Sequence, residues 1–119
     1  MTDRIIGFVK ELSAEEMKKS YSHDPGCYPA IEIFLPEGSP AYKEASEEYF
    51  NSRPWQYVKL MIEWHGNEMG NDLFGIAVCD YMEDAEVVTT VMDSSSPHSL
   101  LDSETIERIT GVFDEMRKR

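Results

Sequence analysis

Hydrophobic and polar positions change their spacing several times along this chain, and each change marks an element. Residues 5–9, IIGFV, form a short apolar run of the kind that fills a buried strand. After it, Ser13 and Glu16 make an S-x-x-E capping box, and Leu12 and Met17 are spaced to clasp each other across the cap. A helix is predicted from Ala14 to about Tyr21. The stretch SHDPGCYP follows, where Asp24-Pro25-Gly26 has the chemistry of a tight turn: proline fixes one φ and glycine accepts a positive one. AIEIFL, residues 30–35, then alternates, with Ile31, Ile33 and Leu35 on one side and Pro36 closing the strand.

Ser39-Pro40 is a helix start, serine capping and proline at the first turn. The helix should reach about Phe50, with Ala41, Tyr42, Ala45 and Tyr49 inward and Glu44, Glu47 and Glu48 pointing elsewhere. From Gln56 the period is two: Val58, Leu60, Ile62 and Trp64 face one way, Tyr57, Lys59, Met61 and Glu63 the other. HGNEMGND, residues 65–72, reads as a connecting loop, LFGIAVCDY as a central strand apolar on both faces, and EVVTTVM, residues 86–92, as a third strand of a meander. After the loop DSSSPHS, the positions Leu101, Ile106, Ile109, Val112, Phe113 and Met116 describe an amphipathic C-terminal helix, with Glu104 and Arg108 paired one turn apart. Its basic ending RKR suits the negative end of a helix dipole without any anionic ligand.

These elements predict an α+β fold, a two-layer sandwich of a mostly antiparallel sheet of about five strands with about three helices. With 119 residues, and with neither an internal repeat nor a composition break, residues 1–119 are expected to form a single globular domain. No run of 18 uncharged apolar residues occurs, and MTDRIIGFVKELSAEE carries charge throughout, so neither a membrane span nor a signal peptide is expected and the reading is cytoplasmic. Cys27 and Cys79 are expected as free thiols rather than a disulfide framework.

Charge changes the picture most. The formal net charge is −12, and it is unevenly spread. Residues 1–59 hold ten acids and seven Lys/Arg, residues 60–107 hold eleven acids and no Lys or Arg, and residues 108–119 hold two acids and four bases. Such a field repels nucleic acid and anionic membrane and attracts basic protein surfaces. Within it, DYMEDAE places Asp80, Glu83, Asp84 and Glu86 around Tyr81 and Met82, acids for steering and apolar side chains for burial. Asp80, Tyr81, Met82, Glu83, Asp84 and Glu86 are therefore the candidate partner-binding residues. A solubilising turn has the same composition.

Sharper chemistry finds less support. His23 and Cys27 flank a turn in acidic surroundings, which raise rather than lower a thiol pKa, and no recognised nucleophile motif accompanies them. His23, His65, His98 and the cysteines match no zinc spacing, and Asn67, Glu68, Asn71 and Asp72 lack the register of a calcium loop. Gly66, Gly70 and Gly75 fit no phosphate-binding loop. No catalytic residue, metal site or cofactor is assigned. The function expected is a small acidic non-enzymatic binding protein, an inhibitor or adaptor for a basic protein surface, similar in charge and size alone to immunity proteins and to inhibitors of nucleic-acid-handling enzymes. The alternative is a small enzyme or ligand-binding domain whose pocket near Cys27 draws on the seven methionines and thirteen aromatics, Trp55, Tyr57 and Trp64 among them.

Overall fold

A computed structural model describes residues 3–49, 58–68, 71–79, 85–92 and 101–118, the segment 85–92 by its backbone. Its first element corrects the sequence reading. Residues 5–9 are helical, part of α1 (Asp3–Glu11). Ile5, Ile6, Val9 and Leu12, all buried, recur at the spacing of one helical face, and that face outweighs the strand preference of the β-branched run. The N-terminus of α1 is closed from a distance. Glu44 of α3 (Pro40–Tyr49) is 5 % exposed and accepts hydrogen bonds from the backbone N–H of Ile5 at 3.0 Å and of Arg4 at 3.3 Å. The expectation that Glu44 points away from the core is thus also corrected: its carboxylate satisfies two orphan donors and meets the positive end of the helix dipole.

The capping box is present as read. Ser13 Oγ accepts from the Glu16 N–H at 3.1 Å, Glu16 Oε1 accepts from the Ser13 N–H at 3.1 Å, and Leu12 and Met17 are both buried. The helix it starts, α2 (Ala14–Lys19), is two residues shorter than expected. Tyr21 belongs instead to β1 (Tyr21–Ser22). The Asp24–Cys27 turn closes through the Cys27 N–H donating to the Asp24 carbonyl at 3.0 Å, with Gly26 at φ +84°, the conformation for which glycine was singled out.

Four longer strands follow the sequence closely: β2 (Ala30–Phe34), β3 (Lys59–Glu68), β4 (Asn71–Cys79) and β5 (Ala85–Met92). The two-residue β1 extends them at one edge, and all neighbours are antiparallel in the order β1-β2-β3-β4-β5. Residues 65–68 and 71–72, read as loop, prolong β3 and β4 to within two residues of each other. The register is kept by a bulge between Trp64 and Gly66, where Gly66 takes φ +111°. With α4 (Ser103–Arg117) the described residues contain four helices rather than about three. The α+β class holds, with an antiparallel sheet.

Register places Ile31 opposite Ile62, Leu60 opposite Val78, Ile62 opposite Ile76 and Trp64 opposite Phe74, so one face of β2, β3 and β4 is continuous and apolar. Apart from Trp64, which is partly buried and packs against it, these side chains share one buried cluster with Ile5, Val9 and Leu12 of the α1 region, Met17 of α2, Ala41 and Ala45 of α3, and Ile106, Ile109, Val112 and Phe113 of α4. Asp102 caps α4 by accepting from the Thr105 N–H at 3.2 Å, a bond that holds its carboxyl below the usual range. Arg108 has a larger role than its expected pairing with Glu104. It also donates to the carbonyls of Lys10 and Leu12, each at 3.0 Å, and so closes the C-terminal end of α1 against α4.

The two caps differ in reach and should differ in cost. Ser13→Ala is expected to lower stability by about 1 kcal/mol. Glu44→Ala, which leaves a buried N–H without its acceptor, should cost about 2 kcal/mol, and Glu44→Gln should recover part of that. Urea denaturation of the three variants checks the order; equal losses for Ser13→Ala and Glu44→Ala would show that the Glu44 contacts contribute nothing beyond a local cap.

Candidate functional site

Of the residues expected to meet a partner, Asp80, Tyr81, Met82, Glu83 and Asp84 lie outside the described residues. Their place in the chain is still framed by backbone pairing. Cys79 of β4 is opposite Ala85 of β5, so these five residues link two paired strand ends, and Glu86 follows in β5 opposite Val78. That end of the sheet is shared with the start of β3, since Lys59 is opposite Cys79.

The strand behind this connection is unusual. In β4, Phe74, Gly75, Ile76, Ala77, Val78 and Cys79 are all buried, as expected for a strand apolar on both faces. Leu73 to Cys79 carry no charge, and the strand's one acid, Asp72, lies near its start. Asp72 is taken up internally: its Oδ1 accepts from Trp64 Nε1 at 3.3 Å and from Asn67 Nδ2 at 3.1 Å. Among the described residues no group of three or more His, Cys, Asp or Glu side chains is placed to hold a metal ion.

Several described cations are also committed to partners. Lys18 lies 2.7 Å from Glu115, Arg117 2.7 Å from Asp114, and Lys59 2.9 Å from Glu32. The Lys59 ammonium, bonded to Glu32 and joined by the Ser22 hydroxyl, holds the Glu32 carboxyl below its ordinary value of 4.5 against a smaller opposing effect of burial.

At the other end of the sheet lies an open cleft of about 470 Å³ lined by Tyr21, His23, Pro29, Trp64, Met116 and Arg117. The bulge and the β1–β2 loop build it. The Trp64 N–H donates to the Pro29 carbonyl at 3.0 Å, Tyr21 packs edge-on against Phe113, and the Arg117 guanidinium lies 3.8 Å from the centre of the Trp64 ring. His65 sits in the bulge, its ring centroid 4.5 Å from that of Tyr28 and its Nε2 3.3 Å from Glu63 Oε1. Cys27 is exposed on the turn and does not line the cleft, whereas His23 does. Sequence reasoning missed the Arg117–Trp64 stack because the RKR ending is fully accounted for by the helix dipole, and nothing local points to a strand residue 53 positions earlier. Trp55, Tyr57 and His98 lie outside the described residues.

No protein family, curated protein or solved structure matches the chain.

Two outcomes follow from this geometry. A thiol reagent should modify Cys27 in the native protein and Cys79, which is buried with its Sγ against Met61 Sδ, only after unfolding; Cys27→Ser should abolish the fast phase and leave stability unchanged. Slow labelling of both thiols would place Cys27 under cover. For Glu32, a depressed folded pKa means that the Lys59 contact stabilises above the unfolded value and is lost as pH falls through the folded one. Glu32→Gln should be less stable than wild type at pH 7, and the gap should close below pH 4.5, measured by urea titration at each pH.

Proposed function

We propose that this chain is a single-domain, two-layer α+β binding protein without catalytic activity, an inhibitor or adaptor that recognises a basic protein surface. Asp80, Tyr81, Met82, Glu83, Asp84 and Glu86 are its contact residues. One observation carries the reading: most of β3, all of β4 and β5, and the first turns of α4 are drawn from residues 60–107, a stretch with eleven acids and no Lys or Arg. Basic side chains cannot come from within that stretch; of the bases around it, Lys18, Lys59 and Arg117 hold acids outside it, and Arg108 meets Glu104 inside it. Negative charge therefore exceeds its local compensation there, which steers a positive partner and repels nucleic acid and anionic lipid. Among the described residues no helix is long and apolar enough to cross a membrane.

The cleft between β1, β3 and α4 favours a second reading, a small-ligand site. Tyr21, Trp64 and Met116 offer apolar walls, while His23 and Arg117 offer polar heads that suit a planar ligand with an anionic substituent. In that case Arg117→Ala would weaken the ligand and leave any protein partner untouched.

Changing Asp80 and Asp84 to Asn and Glu83 and Glu86 to Gln removes four charges at nearly constant volume. With the native partner on a biosensor surface, wild type should associate faster at 0.1 M than at 1 M salt, as the Debye length falls from about 10 Å to about 3 Å. The fourfold variant should associate more slowly at low salt, and Tyr81→Ala should mainly raise the dissociation rate. Identical kinetics for wild type and the amide variant would reduce these acids to a solubilising face.

A further inference from the structure

The walls of the cleft between β1, β3 and α4 are held in place by the protein's own bonds. Trp64 is fixed twice, by its backbone N–H on the Pro29 carbonyl at 3.0 Å and by its Nε1 on Asp72 Oδ1 at 3.3 Å, and Tyr21 rests edge-on against the buried Phe113 with ring centroids 6.1 Å apart. Walls held in this way lose little freedom when a ligand enters. Arg117 lies on the Trp64 ring, 3.8 Å from its centre, and its Nη2 donates to Asp114 Oδ1 at 2.7 Å. Among the described residues no other acceptor engages the guanidinium, whose five N–H donors form a planar fork, and no hydrogen bond or ion pair holds the His23 ring. A space of about 470 Å³, within the roughly 300–1,000 Å³ usual for small-molecule sites, thus joins an apolar wall of Tyr21, Pro29 and Met116 to a guanidinium edge and an imidazole.

Charge and shape select the ligand. A guanidinium already lies on the Trp64 ring, so a second cation entering the cleft meets Arg117 and is repelled, whereas an anion meets the free N–H groups of the fork. A flat ring suits the apolar wall and stacks on a guanidinium or an indole. The number of charges is set by the chain as a whole: at a net −12, with Asp114 beside the fork, a dianionic phosphate is opposed about twice as strongly as a carboxylate. We infer that the cleft binds an aromatic monocarboxylate, its ring against Tyr21, Pro29 and Met116 and its carboxylate on Arg117, with His23 as the second polar contact. This rests on the small-ligand reading above and gives it a ligand class and a single charge.

The probes are naphthalene-2-carboxylate, its neutral carboxamide and the cationic 2-naphthylmethylammonium, three molecules of nearly one shape that differ in charge. Because the protein is unaltered across the three, its folding is not at issue. By calorimetry the acid should bind at least about tenfold more tightly than the amide and more tightly still than the ammonium, and the assigned Trp64 indole N–H resonance should shift as it binds. Arg117→Gln, a change at an exposed position in the last turn of α4, should bring the acid down to the affinity of the amide. Equal binding of acid and amide to the wild type would overturn carboxylate recognition while leaving a small-ligand cleft standing, and preference for the ammonium would overturn the sign of the charge. Displacement of the acid by an equal concentration of inorganic phosphate would overturn the single charge. Binding of the acid with the Trp64 resonance unmoved, or undiminished in Arg117→Gln, would place it elsewhere on the protein and overturn the assignment. Failure of all three probes to bind at millimolar concentration would overturn the small-ligand reading together with the ligand class.

Discussion

Strand β4 has no face to give to water, and most of the architecture answers to that. A strand buried on both sides must lie inside the sheet, so β3 and β5 flank it and the meander follows from the shortest available connections. It also excludes charge along its length: Leu73 to Cys79 contain none. Asp72, the one acid of the strand, lies near its start and turns inward onto Trp64 and Asn67. The absence of charge along the rest of β4 is thus a consequence of burial.

A second constraint acts on the helices. α1, with 9 residues, and α2, with 6, are too short to be stable alone in water, where helices of fewer than about 12 residues are marginal. α2 starts from its own capping box, whereas α1 is closed at both ends by side chains from elsewhere. Glu44 serves the start of α1, and Arg108 serves the carbonyls at its finish. The residues at the two ends of α1 are thereby bonded to α3 and to α4, the elements that bracket most of the sheet in sequence. Loss of either contact should loosen the helical layer as a unit, since the partners are about 40 and 100 residues distant and no local bond replaces them.

What could be read in advance follows the same division. The capping box at Ser13, the Asp24–Cys27 turn, the alternation of β2 and β3 and the double burial of β4 depend on residues close in sequence, and each was legible. α1 was misread because a five-residue window of IIGFV has β-branched composition, while the decisive spacing includes Leu12, which the staple had already claimed. Glu44 looked like an exposed acid because the N–H groups that donate to it lie 39 and 40 positions away. The cleft was illegible for a similar reason: its walls come from β1, the loop before β2, the bulge of β3 and the last turn of α4. Local chemistry can identify Tyr21, Trp64, Met116 and Arg117 as apolar or basic, but only the register brings them together.

The two surfaces to which a partner or ligand can be assigned stand at opposite ends of the sheet. Five steps along β3 lead from Lys59, opposite Cys79, to Trp64 in the cleft, about 16 Å at the usual rise of a strand. The cleft contains the base Arg117, whereas every charged residue from 80 to 84 is an acid. Between them the strands' shared face is filled by the same cluster that holds the helices. Changes of charge at one end leave the packing of the other intact, so substitutions at distant, separately packed sites should add rather than couple. An anionic ligand in the cleft should therefore leave the packing at the Cys79–Ala85 end of the sheet nearly unchanged.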